Sequence, residues 1–136
     1  MALGTNGYLL KEERLGEILP ALTYLRFNIS AADPVRYAYI MGCKEEYFYK
    51  VCDSIKKCVT IKKDQGLSVT LGLQMVLMPD FKDQIIPIAK LGKELGVDYV
   101  VIKHCSDDEA GSLGVNYSRY QEHIGILREE IGRAHV

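Results

Sequence analysis

A dense group of reactive side chains lies in the last third of the sequence. Lys103, His104 and Cys105 follow one another directly, and Asp107 begins a run of three acids two positions later. An amine, an imidazole, a thiol and a carboxylate can act as a base, a nucleophile, a hydrogen donor or a substrate anchor. We therefore predict catalytic roles for Lys103 and Cys105 and substrate contacts for His104 and Asp107, the alternative being an ordinary solvated loop.

The residues just before this group predict a buried strand. Val100, Val101 and Ile102 are consecutive β-branched residues, as is typical of strands in parallel sheets. In α/β proteins the loops after the strand ends form the site, because helices cover the faces. If Tyr99, Val101 and Lys103 face a lumen, the desolvated amine could be a base, a Schiff-base nucleophile or a carboxylate anchor. An ion-paired lysine remains the alternative.

Composition limits the classes of partner. The chain has 136 residues, 48% of them hydrophobic, which is enough for one domain with a real core. Its net charge of −1 provides no basic surface for nucleic acid. No apolar run approaches the roughly 18 residues of a membrane span. The sequence thus predicts a soluble, cytoplasmic protein without nucleic-acid or membrane partners.

The four cysteines match neither a disulfide framework nor the spacing of zinc or iron–sulfur ligands. Cys52 and Cys58 fall on the apolar stripe of a helix predicted before Gly66, so we expect both to be buried. No metal-ligating set is predicted within this sequence.

Periodicity predicts four strands that alternate with four helices. Residues 24–30 and 67–77 alternate with period two, and their polar members share a face: Arg26, Asn28, Ser30, Ser68, Thr70, Gly72 and Gln74. Such alternation indicates right-handed βαβ units and a parallel sheet. The polar faces favour an α/β fold of the incomplete (βα) TIM-like barrel type, with outer helices, over an open doubly wound sheet. Since a barrel needs about 250 residues, we expect about half of one.

Local signals predict where several elements begin and end. A turn is expected at residues 5–7, and a first helix at residues 11–19. Asp33 should begin the second helix and Gly42 should end it, while Asp80 should cap the helix that precedes the reactive group.

The last six residues, 131–136, read IGRAHV, which is what a common sequencing adapter encodes in this frame. We therefore expect residues 1–130 to be a fragment of a catalytic barrel and residues 131–136 to be a non-native tail. His135 is accordingly left out of the functional argument.

Several segments together resemble a known family. TNG, LRFNIS, VTLGLQMVLMP and GVDYVVIKHCSDDEAGSLGVNYSRY, separated by predicted helices, are similar to the middle and later part of a radical S-adenosylmethionine (radical SAM) barrel. The similarity covers nearly all of the chain up to Leu127. It implies that the strands are the third to sixth of a partial barrel.

The resemblance also implies cofactors and their contacts. A radical SAM enzyme uses S-adenosylmethionine and a [4Fe–4S] cluster, reduced by an electron donor, to form a 5′-deoxyadenosyl radical that abstracts hydrogen from a small-molecule or peptide substrate. Asn28 and Ser30 would contact the ribose and amino-acid part of S-adenosylmethionine. Gly72 and Gln74 would approach the cofactor from the next strand, and Val101 would lie near the adenine.

The sequence departs from the family pattern in three respects. The CxxxCxxC cluster motif and the Gly-Gly-Glu segment are absent, and Met75 stands where the family's fifth-strand glutamate would fall. We therefore expect the chain alone to be inactive, and its parent protein to supply the cluster. In that parent, Cys105 or Tyr99 could return a hydrogen atom. Two alternatives remain: an aldolase-like barrel lyase with a Schiff base on Lys103, and a non-enzymatic α/β binding module with helices on both sheet faces.

Overall fold

The computed structural model describes residues 1–126, so the expected tail at residues 131–136 lies outside the described part. Strands and helices alternate as the periodicity predicts. The strands are β1 (Ala2–Thr5), β2 (Tyr24–Asn28), β3 (Thr70–Leu77) and β4 (Tyr99–His104). The helices are α1 (Leu15–Ile18), α2 (Pro34–Met41), α3 (Glu46–Gln65), α4 (Ile85–Leu95) and α5 (Gln121–Ile126). Short 3₁₀ turns are Glu12–Arg14, Leu19–Ala21, Pro79–Gln84 and Tyr117–Tyr120.

The four strands form one parallel sheet in the order β1-β2-β3-β4. Each strand thus pairs with the next one along the chain. Right-handed crossovers between such neighbours bring the connecting helices to the same face of the sheet. The predicted α/β class and the parallel sheet are confirmed.

One face of the sheet, here called the helix face, carries the core. Its side chains are at most 1% exposed in the two central strands: Leu25, Phe27, Leu71, Leu73, Met75 and Leu77. Helix α4 approaches closely at Gly92, where an added Cβ would lie 2.3 Å from Cγ2 of Val100. Helix α3 packs near Gly7, whose φ of 78° and contact with the Phe27 ring both require glycine. The turn predicted at residues 5–7 is therefore confirmed.

The opposite face, here called the uncovered face, is polar. Its side chains are mostly half-buried or exposed, and none of the helices within residues 1–126 buries them: Tyr24, Arg26, Asn28, Thr70, Gln74, Val76, Tyr99, Val101 and Lys103. Cysteines 52 and 58 lie on the other side of the sheet in α3 and are buried, as predicted. The described chain is thus a four-stranded parallel sheet with helices on one face.

Helix capping is confirmed at two of the expected positions. The Asp33 carboxylate accepts a hydrogen bond from the Arg36 backbone N–H at the start of α2, and Gly42 ends that helix with a left-handed backbone. The prediction for Asp80 is wrong, because its carboxylate pairs with Arg119 instead of capping a helix.

Two element boundaries also differ from the sequence prediction. Strand β3 begins at Thr70, not at residue 67, because β2 begins at Tyr24 and Tyr24 is the register partner of Thr70. The helix expected at residues 11–19 is one short α-helical turn between two 3₁₀ turns. Within residues 1–126, no helix has the length and apolar character that crossing a bilayer requires.

Candidate functional site

The centre of the uncovered face carries two hydrogen-bonded carboxamides, here called the carboxamide pair. The sheet register places Asn28 beside Gln74, and Gln74 beside Val101. Nε2 of Gln74 donates to Oδ1 of Asn28 over 3.1 Å. Oε1 of Gln74 is buried and has no hydrogen-bond partner in the described part of the chain. A buried carbonyl oxygen without a donor is costly, so this acceptor is suited to a ligand that brings one.

A second row lies one step nearer the start of the strands. Arg26 is the register partner of Gly4 on one side and of Gly72 on the other, and Tyr99 is the partner of Gly72. The Tyr99 ring lies across Gly72, where an added Cβ would be 2.2 Å from Cζ. Nε of Arg26 is buried and lacks an acceptor within residues 1–126. No functional role was predicted for Arg26, although a charged residue on a polar strand face is a signal that could have identified it as a candidate.

Ser30 and Lys103 lie towards the carboxyl ends of the strands. Ser30 is 6% exposed, and its Oγ accepts a hydrogen bond from the Val76 backbone N–H over 3.3 Å. Ser30 thus continues the contact between β2 and β3 beyond the end of β2. Lys103 is the register partner of Val76, and its side chain is exposed.

His104 is not brought to the carboxamide pair. It alternates with Lys103 along β4, and its ring stacks on Tyr120 with centroids 4.1 Å apart. The Tyr120 hydroxyl donates to the Leu77 carbonyl over 2.8 Å, and burial raises the pKa of this phenol. His104 is exposed, and its contact with Tyr120 places it on the helix side of the sheet.

Asp107 lies in the loop after β4, where it binds the loop's own backbone. Its carboxylate accepts hydrogen bonds from the N–H groups of Leu113, Val115 and Asp108, over 2.9, 3.0 and 2.9 Å. The bonds from Val115 and Leu113 hold the pKa of Asp107 below its ordinary value. Its carboxylate therefore organises the loop.

Cys105 directly follows β4 and is partly exposed. Its backbone N–H donates to the Leu77 carbonyl over 2.9 Å, and Sγ lies 3.8 Å from the Ser106 carbonyl oxygen. The backbone bond extends the β3–β4 ladder by one residue, so the thiol is held at the strand end.

The described residues offer no cluster site. Within residues 1–126, no group of three or more His, Cys, Asp or Glu side chains could hold a metal ion. Cys52 and Cys58 are free thiols whose pKa burial raises to about 11, which disfavours the thiolate that a metal needs. The unpartnered Oε1 of Gln74 is an acceptor that fits a hydroxyl or amine donor.

A cavity of about 590 Å³ lies elsewhere, between the segment after β1 and helix α3. An ion pair between Lys57 and Glu12 crosses it, and the Lys50 ammonium lies 4.0 Å from the centroid of the Tyr8 ring. Lys57, Glu12 and Lys50 thus have partners within the protein, and none of the site residues predicted from the sequence lines this cavity.

The geometry brings Asn28, Gln74 and Val101 into one row, with Gly72 one step below it. Lys103 lies further along the same face, whereas His104 and Asp107 lie elsewhere. The sequence matches no protein-family model and no curated protein.

Proposed function

We propose that this chain forms four βα units of a radical SAM barrel, and that its uncovered face binds S-adenosylmethionine and substrate. The observation that carries the proposal is the carboxamide pair, with a buried, unpartnered Gln74 Oε1 at the centre of a polar sheet face. In a barrel the face opposite the helices lines the lumen, where a bound ligand can supply the missing donor.

In this proposal the chain's own residues bind and orient the ligand. Asn28 and Gln74 hydrogen-bond the ribose and amino-acid groups, Ser30 lies at the neighbouring strand end, and Val101 packs beside the adenine. Bound next to a reduced [4Fe–4S] cluster, S-adenosylmethionine supplies the radical that removes hydrogen from the substrate. Residues 1–126 do not provide cluster ligands, so in this proposal the cluster is bound by residues outside that range.

The groups at the end of β4 have less specific roles in this proposal. Cys105 is a partly exposed thiol directly after β4, and in this proposal it returns a hydrogen atom to the product. Lys103 remains in solvent, which makes it a steering charge for an anionic substrate.

The two alternatives are less well supported. A Schiff-base lysine is usually activated by desolvation or by a neighbouring cation, whereas Lys103 is exposed. A doubly wound binding module carries helices on both faces, whereas the helices within residues 1–126 bury only one. Borohydride trapping of a carbonyl substrate on Lys103 would reverse the first preference.

The test is calorimetric titration of the chain with S-adenosylmethionine. Gln74→Ala removes both polar groups of one carboxamide, and Gln65→Ala removes an exposed carboxamide at the end of α3. One lost hydrogen bond of about 1 kcal/mol weakens binding roughly fivefold. We expect that loss for Gln74→Ala and unchanged affinity for Gln65→Ala. Equal affinities in the two variants, or no binding to the unaltered chain at millimolar ligand, would contradict the proposal.

A further inference from the structure

We propose that Arg26 anchors a carboxylate group of the ligand that occupies the uncovered face. The other three arginines within residues 1–126 each lie within 4.0 Å of a carboxylate. The pairs are Arg14 with Glu17, Arg36 with Asp83, and Arg119 with Asp80. Arg26 differs from these three. Its Nε is buried and has no acceptor, and no acidic side chain of the described residues pairs with it. A guanidinium is always charged, so the missing partner is an anion.

The surroundings of Arg26 leave room for that anion on one side. Gly4 is its register partner on β1, and an added Cβ at Gly4 would meet no atom within 4 Å. On the other side the Tyr99 ring fills the space above Gly72. The Tyr24 ring lies 5.9 Å from the guanidinium carbon. The space around Arg26, here called the cleft, is therefore open towards β1, and the Tyr24 and Tyr99 rings lie beside it.

The charge and shape of this cleft favour a carboxylate. Arg26 is the single cation in its row and balances one negative charge, which is the charge of a carboxylate, whereas a phosphate monoester carries about −1.5 to −2 at neutral pH. A carboxylate matches the planar fork of a guanidinium with two parallel hydrogen bonds. Gln74, whose Oε1 is unpartnered, is the diagonal neighbour of Arg26 on the adjacent strand, and the Cβ atoms of such neighbours lie about 7 Å apart. A small hydroxy acid or amino acid would satisfy both atoms.

The inference does not depend on the proposed function, because two kinds of ligand carry such a group. The carboxylate belongs either to the substrate or to the amino-acid end of S-adenosylmethionine. Succinate and its neutral analogue succinamide test the first source. S-adenosylmethionine and methylthioadenosine, which lacks the carboxylate, test the second source.

The experiment is calorimetric titration of the full chain with these four probes. Arg26→Gln removes the charge, and Arg14→Gln removes an exposed arginine in the turn before α1 as a control. We expect succinate or S-adenosylmethionine to bind at least tenfold more weakly to Arg26→Gln than to the unaltered chain. Their affinity for Arg14→Gln should be unchanged. The affinity of the two neutral probes should not change in Arg26→Gln. Binding of both acids that is unaffected by Arg26→Gln, or binding of neither acid to the unaltered chain, would overturn the inference.

A second pair of variants keeps the charge and blocks the space. Gly4→Leu fills the opening beside Arg26, while Gly16→Leu adds the same side chain where a Cβ also meets no atom within 4 Å. We expect Gly4→Leu, and not Gly16→Leu, to weaken carboxylate binding at least tenfold, with circular dichroism unchanged in both. Full binding by Gly4→Leu would refute the proposed entry side. Succinate binding through Arg26 without any S-adenosylmethionine binding would leave this inference standing while the proposed function fails.

Discussion

Gln74, which is half-buried, and Gln84, which is buried, should respond to the same substitution with opposite signs. Gln74 donates one hydrogen bond, to Asn28, and its Oε1 is buried without a partner. Gln84 is 4% exposed and uses both ends of its carboxamide. Its Oε1 accepts from the Ala32 backbone N–H over 2.9 Å, and its Nε2 donates to Asp83 over 2.8 Å. Replacing each glutamine by leucine removes the polar groups and keeps a side chain of similar volume.

The magnitudes follow from the partners that each replacement leaves behind. Gln74→Leu loses one neutral hydrogen bond, about 1 kcal/mol, and removes an unsatisfied buried carbonyl that costs about 1–3 kcal/mol. Its partner Asn28 is partly exposed and can bond to water. We therefore expect a gain of about 1 kcal/mol in the free energy of unfolding. Gln84→Leu breaks two bonds and strands the Ala32 N–H, which should cost about 2–3 kcal/mol.

Urea unfolding of the two variants measures this contrast. With a slope of about 1.5 kcal/mol per molar urea, the midpoint should rise by about 0.7 M for Gln74→Leu and fall by more than about 1 M for Gln84→Leu. A destabilised Gln74→Leu variant would show that Oε1 finds a partner in solution. That result would remove the main support for a ligand acceptor at this position. The same variant should lose ligand affinity, as expected where function is retained at the expense of stability.

Further predictions concern packing, the cysteines and the loop after β4. Gly92→Ala places a Cβ 2.3 Å from Val100 Cγ2. The variant should be less stable, because overpacking costs about 1–3 kcal/mol and the gain in helix propensity is about 1 kcal/mol. Adding Val100→Ala to the same chain should restore stability, as measured by urea titration. Burial raises the pKa of Cys52 and Cys58 to about 11, which disfavours their reactive thiolate form. Iodoacetamide near neutral pH should therefore modify Cys43 and Cys105 first, as measured by mass spectrometry of the peptides. The hydrogen bonds that Asp107 accepts lower its pKa, so they stabilise the loop above the ordinary aspartate range and are lost only as the pH falls through the lower folded value. Amide exchange followed by NMR should show loop protection that persists at about pH 4, the ordinary aspartate pKa, and is absent in Asp107→Asn. Equal protection in that variant would contradict the prediction.

The alternation of side chains within β2 and β3 could be predicted from the sequence because a strand has a period of two. That period places Asn28 and Gln74 on the uncovered face and Phe27 and Leu73 on the helix face. The true start of β3 could not be predicted in the same way. It depends on where β2 begins, and residues 67–69 keep the alternating pattern without a partner strand.

The roles of single polar residues were harder to predict than the faces. His104 lies four residues after Val100 in β4, so a period of two places both on the helix face. Its reactive neighbours in the sequence nevertheless suggested a substrate contact. The bonds of Asp107 depend on how the loop folds back on itself, which no periodicity describes. The importance of Arg26 depends on which acids lie near it in space. The sequence shows that the chain has 18 acidic residues. It does not show that none of those within residues 1–126 pairs with Arg26.

The polarity of the uncovered face requires a specific kind of neighbour. If water covered this face, every polar atom on it would be hydrated, but Arg26 Nε and Gln74 Oε1 are both buried without partners. If a helix covered it, its side chains would be apolar, as they are on the helix face. Buried polar atoms without partners in a native structure point to a functional role or to a water or ion that pairs with them. One atom is a donor on a cation and the other an acceptor, so the ligand that we propose for this face carries an anionic acceptor and a hydrogen-bond donor together.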